Sequence, residues 1–474
     1  MDNVVYTIFG GTGDLSYRKL MPAFYNLFAR GLLGENTCFL ALGRRDWDKE
    51  KYLSEIEDWV REFARFPVTD ASFAEFSDYV DYLRVDFTKA EDYNRLFSYY
   101  EKFSGSREKI RHIFYYAVAP GLFPVITDNL LSTGCLQGIC RVVIEKPFGE
   151  DLEQARAISE KLSSAFGEDQ VYHIDHYLGK EMVLNIATIR RANALFKAAW
   201  NKDYIDSVEI SALESIDIGN RGAYYDDAGA LKDMIQGHLF QVLTIIAMED
   251  TADPDSPAFT AAQENLLQAL RPPEAPASSQ LALGQYEGYR ESKDVAPDST
   301  TESYAAVKVL IDNPRWEGVP FYLRSGKALK ERKTYVTVKF KQFSEKSPQN
   351  ILHIEIQPQE GIRLSFNIKK PGSRNEIEKV SMDFCQSCNI EAHSNTPEAY
   401  ERLLLAACRG QKEYFTPWQQ IESSWEWMHQ LRQLKEEEGL VPEVYPRGSW
   451  GPGNADALLA ESGRRWENET DTLM

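Results

Sequence analysis

Along its first 175 residues the chain alternates short apolar runs with amphipathic stretches. VVYTIFG reads as a buried strand and LMPAFYNLFARGLL as a helix. TCFLALG is the next strand, followed by the charged helical stretch KEKYLSEIEDWVREFARF. After these come DYLRVDF, a helical DYNRLFSYYEKF, the strand HIFYYAV, a helix through PVITDNLL and the strand CRVVIEKP. Strand–helix alternation of this kind predicts parallel βαβ units in a doubly wound sheet. Such a sheet places ligands at the carboxyl ends of its strands.

Past residue 200 the pattern changes. YIDSVEISALES, YAAVKVLI, KTYVTVKF, ILHIEIQP and IRLSFNIKK cluster or alternate β-branched residues, with no helices between the later runs. That predicts a mainly antiparallel sheet, with helices at 228–248, 396–408 and 416–437. The acidic, Pro- and Ser-rich segment 251–280 reads as a connection. The expected fold class is therefore α/β followed by α+β. A Rossmann-like domain takes residues 1–177, and a larger α+β domain for substrate binding and dimerisation takes 178–474.

A chain of 474 residues exceeds what one core normally serves, in keeping with two domains. The 53 basic and 72 acidic residues give a net charge of −19. That argues against nucleic acid or an anionic membrane surface as partner. An anionic ligand would need a local cluster of Lys and Arg. No apolar run approaches the ~20 residues of a membrane span, and no secretory pattern precedes the first strand. The six cysteines fit free thiols in a reducing cytoplasm. Cys385-Gln-Ser-Cys388, with His393 nearby, is the one CxxC. A structural zinc site needs four ligands, so the expectation is two incidental thiols and no metal.

The stretch FGGTGDLSYRKL follows the first strand and opens a helix. Gly10, Gly11 and Gly13 let the backbone turn tightly and approach a pyrophosphate on the helix N-terminus. The spacing departs from GxGxxG; its place at the first βα turn is what gives it weight. The second strand ends LALGRRDW, with Arg44 and Arg45 where an acidic residue would hold a ribose 2′-hydroxyl. Guanidinium groups there suit a 2′-phosphate; two solvated surface arginines are the alternative. VYHIDHYLGKEMV sets His176 and Lys180 four apart, on one face of an expected helix start. With Tyr177 and the amides of that turn they would make an anion pocket. Local capping and packing is the alternative.

FGGTGDLSYRKL, VIEKPFG, IDHYLGKE, RGAYYDDAGALKDMIQGHLFQ, NPRWEGVPFYLRSGKALKERKT and YPRGSWGP run in this order along nearly the whole chain. Together they resemble the glucose-6-phosphate dehydrogenases. The resemblance implies oxidation of D-glucose 6-phosphate at C1 to 6-phospho-D-glucono-1,5-lactone with NADP, NAD being a possible second acceptor. A homodimer or dimer of dimers in the cytoplasm follows from it too. His238 is implied as catalytic base and Asp175 as its carboxylate partner. The sugar phosphate falls to His176, Tyr177 and Lys180. Glu214 and Asp233 hold sugar hydroxyls, and Lys327 and Arg332 also reach the substrate. Lys146 lies between nicotinamide and sugar. Gly10, Gly11, Thr12, Gly13, Asp14, Leu15, Arg44, Asp86, Tyr115 and Lys146 are implied at the cofactor.

Three positions depart from the family pattern: His173 replaces an arginine, Gly237 an asparagine and Tyr17 a lysine. His173 is expected to add a pH-dependent positive field to the phosphate pocket. Gly237 is expected to loosen the helix of His238. Another hexose 6-phosphate as substrate, or a non-catalytic NADPH-binding regulator, are the competing functions.

Overall fold

The computed structural model describes residues 3–104, 109–251, 256–385 and 397–468. They divide into two compact units, Met1–Gly179 with Pro397–Trp418, and Lys180–Thr396 with Gln419–Met474.

The first unit is built on β1 (Asn3–Phe9), β2 (Thr37–Gly43), β3 (Val80–Arg84), β4 (Ile110–Tyr116), β5 (Ile139–Ile144) and β6 (Val171–Ile174). These six pair in parallel in the order β6-β5-β4-β1-β2-β3. The order reverses between β1 and β4, the switch point at which doubly wound sheets bind ligands. The central strands are apolar on both faces, as helix-covered parallel strands must be.

One difference from expectation is that Pro397–Trp418 joins this unit, not the second. Its helix Ala399–Arg409 sends Leu403, Leu404 and Ala407 into the same core as Tyr6, Phe24 and Tyr172. The fully buried Glu401 accepts from Asn26 Nδ2 at 3.0 Å and pairs with Arg65 at 2.9 Å. The segment then adds β15 (Phe415–Thr416) antiparallel to β6, against Ile174 and His173.

The second unit holds a nine-stranded sheet. Its strands are β7 (Ile205–Leu213), β8 (Leu281–Tyr286), β9 (Tyr304–Val309), β10 (Phe321–Gly326), β11 (Lys333–Phe340), β12 (Ile351–Gln357), β13 (Gly361–Lys369), β14 (Ile377–Cys385) and β16 (Glu443–Tyr445). The order is β14-β13-β12-β11-β7-β10-β9-β8-β16, antiparallel except at β7–β10 and β8–β16. The segment read as a plain connection contains a helix, Pro257–Gln268, opened by its proline and buried through Phe259, Leu266 and Leu267. The helix expected at 228–248 is three pieces. Gly222–Ala230 breaks at Gly229 (φ 62°), Leu231–Leu239 is π-helical, and Phe240–Ala247 is α-helical. Cys385 is disulfide-bonded, contrary to the expectation of free thiols throughout, whereas Cys38, Cys135, Cys140 and Cys408 are free. Cys388 and His393 lie outside the described residues. Among those residues no helix is long and apolar enough to cross a membrane.

Candidate active site

The glycine turn sits at the carboxyl end of β1. Gly10 has φ +89°, and a Cβ there would strike the Ala117 carbonyl oxygen. At Gly11 a Cβ would fall 2.6 Å from Ala41 Cβ. The turn therefore needs both glycines. The Gly13 amide donates to the Gly10 carbonyl at 2.9 Å, and helical backbone begins at Asp14. Thr12, Gly13 and Leu15 are partly exposed and Asp14 exposed, so an anion can reach the helix N-terminus.

Arg44 and Arg45 are exposed just beyond β2, but differently placed. The Arg45 guanidinium lies 4.6 Å from the Trp47 ring, and its carbonyl accepts from Tyr82 at 2.8 Å. Arg44 lies near enough to Asp86, past the end of β3, to favour its ionised form. The Thr88 amide and hydroxyl donate to Asp86 Oδ1 at 3.2 and 2.9 Å, holding its carboxyl below the usual range with help from Lys89 and Arg44. Tyr115 is fully buried and its hydroxyl donates to Glu145 at 2.5 Å. That side chain is taken up within the unit, which leaves only its backbone for a nucleotide.

At the ends of β5 and β6 stand Lys146 and Asp175. Lys146 Nζ donates to Asp175 Oδ2 at 2.6 Å, and the Tyr177 amide donates to Oδ1 at 2.9 Å. Asp175 is fully buried, so both of its oxygens are occupied by donors where an unpaired charge would be costly. His176 and Tyr177 follow, ring centroids 5.2 Å apart, in a turn closed by Leu178 N to Asp175 O at 3.0 Å. The helix starts only at Glu181, with Lys180 in extended conformation before it. The expectation that His176 and Lys180 share a helical face is thereby corrected.

His173 is corrected too. It faces inward from β6, between Phe148 at 5.1 Å and Trp418 at 6.4 Å. Burial and the Lys412 ammonium drive its pKa down to about 3. It stays neutral at working pH and adds no positive field.

In the second unit, Lys180 Nζ donates to Gln357 Oε1 at 2.5 Å. Glu214 and Lys327 follow the carboxyl ends of the parallel neighbours β7 and β10 and form an ion pair. Burial and nearby Arg332 pull the Lys327 ammonium down to about 8. The touching Glu214 carboxylate opposes that fall. Arg332 itself is exposed. Asp233 accepts from the Tyr224 hydroxyl at 3.0 Å. His238 is buried at the end of the π-helical stretch, and a Cβ on Gly237 would lie 3.2 Å from the Lys232 carbonyl oxygen. The site helix is thus wound more widely around Gly237, a feature with no sequence period, and such π turns often mark functional sites.

Residues 7–185 match the glucose-6-phosphate dehydrogenase NAD binding domain, and residues 187–467 the glucose-6-phosphate dehydrogenase C-terminal domain. The chain belongs to the glucose-6-phosphate dehydrogenase family. It is 36% identical to the glucose-6-phosphate 1-dehydrogenase of Bacillus subtilis, with 98% of each chain covered. Against that of Chlamydia muridarum the identity is 38%, over 98% of this chain and 96% of the relative. A solved glucose-6-phosphate dehydrogenase in complex with its substrate glucose-6-phosphate superposes with a TM-score of 0.90 at 34% identity, covering 98% and 99% of the two chains. Membership in the glucose-6-phosphate dehydrogenase family extends the earlier resemblance from six motifs to residues 7–185 and 187–467.

Proposed function

We propose that this chain oxidises D-glucose 6-phosphate at C1 to 6-phospho-D-glucono-1,5-lactone, with NADP as acceptor. The observation that carries the reading is the Lys146–Asp175 pair, its carboxylate fully buried, at the strand ends of a family-typical chain. A module that only bound nucleotide would have no use for it.

The nucleotide-binding residues fit a dinucleotide. The glycine cradle excludes side chains where a pyrophosphate must approach, and the helix N-terminus beside it favours an anion. Arg44, exposed beyond β2, suits the 2′-phosphate, whereas Arg45 lies on the Trp47 ring. Thr12, Asp14, Leu15, Asp86 and the Tyr115 backbone complete the proposed surround. Held by these residues, NADP would supply the hydride acceptor for C1.

The protein's own part is proton transfer and positioning. His238 takes the C1 hydroxyl proton, as a histidine does near neutral pH. The Asp175 carboxylate supports the imidazolium that forms. Lys146 orients the reacting groups. His176, Tyr177 and Lys180 hold the phosphate; Glu214, Asp233, Lys327 and Arg332 hold the rest of the sugar. NAD is a weaker second acceptor, and the cytoplasm the proposed compartment.

The partner is a second copy of the chain. On β13 and β14 the register places Ile362, Leu364, Phe366 and Ile368 on one face with Val380, Met382 and Phe384. Met382 is 64% and Phe384 57% exposed, more apolar surface than an edge strand normally leaves bare. Sedimentation of Met382→Lys/Phe384→Lys should show monomer where the unsubstituted chain is dimeric.

The test of the function is absorbance at 340 nm with glucose 6-phosphate and NADP or NAD. His238→Asn should lower kcat by ~10³-fold with KM nearly unchanged. A variant keeping more than roughly a tenth of kcat removes His238 from proton transfer.

A further inference from the structure

Immediately before Lys146, past the end of β5, stands Glu145, to which the reading above gives no task. Two phenols converge on its carboxyl. The Tyr115 hydroxyl donates to Oε1 at 2.5 Å from β4. Tyr400, on the helix Ala399–Arg409, brings its phenol close to the same carboxyl and favours its ionised form. The charged groups that face it are Lys146 from its own segment and Asp175 from the turn after β6. Asp175 holds the ammonium directly, Glu145 precedes Lys146 in the chain and acts on it through space, and all of these residues belong to one compact unit.

The charge of this group of three depends on Glu145. With Glu145 protonated, Lys146 and Asp175 cancel. With Glu145 ionised, the group carries one net negative charge. Burial pushes the Glu145 carboxyl up to about 7, against the two phenols and Lys146, which pull it down. The change of charge therefore falls where such an enzyme works.

We propose that Glu145, clamped by Tyr115 and Tyr400, is a positioning residue that sets the charge and aim of the Lys146–Asp175 pair, which works best with Glu145 ionised. The inference rests on the proposed function, which gives Lys146 and Asp175 their tasks. Ionised Glu145 adds a second negative charge close to the ammonium and offsets part of its hold on Asp175, so more negative field remains for the positive charge the base acquires with the hydroxyl proton. Protonated Glu145 leaves Lys146 to neutralise Asp175 alone, and the transition state loses that support. No bond to Glu145 forms or breaks during turnover.

The experiment is kcat/KM for glucose 6-phosphate with NADP from ~pH 5 to ~pH 9 in the full chain, for wild type, Glu145→Gln and Tyr400→Phe. In wild type the base must lose its proton and Glu145 works better without its own, so the acid limb is steeper than a slope of one over the roughly tenfold range that Glu145 controls. Glu145→Gln should follow a slope of one, to a plateau roughly tenfold lower, with KM little changed. Tyr400→Phe removes a donor that favours the carboxylate, so it should move the acid limb to higher pH and leave the alkaline plateau intact. An infrared band of a protonated carboxylic acid should fade across neutral pH in wild type and be missing from Glu145→Gln. If Glu145→Gln does not fold, Tyr400→Phe and the infrared titration carry the test. An active wild type whose pH profile is unchanged in shape by either substitution overturns the inference alone. A wild type inert toward glucose 6-phosphate overturns the proposed function, and the inference falls with it.

Discussion

Lys146 and Asp175 meet at 2.6 Å although 29 residues separate them, because parallel β5 and β6 end side by side. One member is fully buried and the other less than one-quarter exposed. Replacing Asp175 by Asn keeps the shape and leaves the ammonium facing an amide. The expected result is a fall in kcat of ~10²-fold or more, because a carboxylate that supports an imidazolium acts in the transition state. Steady-state kinetics should assign the loss to kcat; a loss confined to KM would reduce Asp175 to a binding group.

Arg44→Ala should raise KM for NADP strongly and leave NAD use nearly unchanged. A charge-assisted phosphate contact is worth ~1.5–3 kcal/mol, so a factor of roughly ten or more is expected. Arg45→Ala is the control: its guanidinium lies on Trp47, and its removal should affect both nucleotides alike. Equal losses with both cofactors on removing Arg44 would end its assignment to the 2′-phosphate.

Periodicity revealed the parallel and antiparallel halves because each strand's burial is written into its own side chains. It could not say which core a late helix joins. Leu403 and Leu404 read as an apolar stripe whichever core they fill, and only tertiary packing puts them with Tyr6. The same blindness hid Tyr400 behind Glu145 and β15 over His173, since both partners arrive from distant sequence. The π turn before Phe240 was hidden for a different reason: apolar residues spaced for a helix fit an α or a π winding equally. Gly10, Arg44 and Lys146 could be placed because each follows a strand the pattern predicts, where topology itself points; Asp175 is named only through the family resemblance, since the pattern does not reveal the short strand β6 before it.

His173 now predicts a stability effect in place of the expected effect on substrate affinity. Its folded pKa is lowered to about 3 from 6.5, so the unfolded chain binds the extra proton first. That contribution to stability is complete above pH 6.5 and is lost as pH falls toward about 3. Buried His353, also lowered to about 3, acts in the same direction. Urea unfolding between neutral pH and ~pH 5 should show stability falling by up to ~1.4 kcal/mol per pH unit for each histidine. His173→Phe should remove one such contribution. An unchanged pH dependence in that variant would mean that the ring takes up its proton as readily in the folded chain as in the unfolded one.

Lys327 supplies an alkaline counterpart that concerns binding. Its ammonium is pulled down to about 8 by burial and by Arg332 while it remains paired with Glu214. If it holds the substrate, the charged form is the useful one. Affinity should then be nearly full a unit or more below about 8 and decline as pH rises through it, so KM for glucose 6-phosphate should climb on the alkaline side. Lys327→Arg keeps a positive charge to far higher pH, because guanidinium does not titrate there. It should flatten the climb, though the longer, planar head fits less well beside Glu214 and raises KM at neutral pH. Lys327→Met should show high KM at every pH. Parallel KM–pH curves for wild type and Lys327→Arg would assign the alkaline loss to another group and leave Lys327 as a partner of Glu214 only.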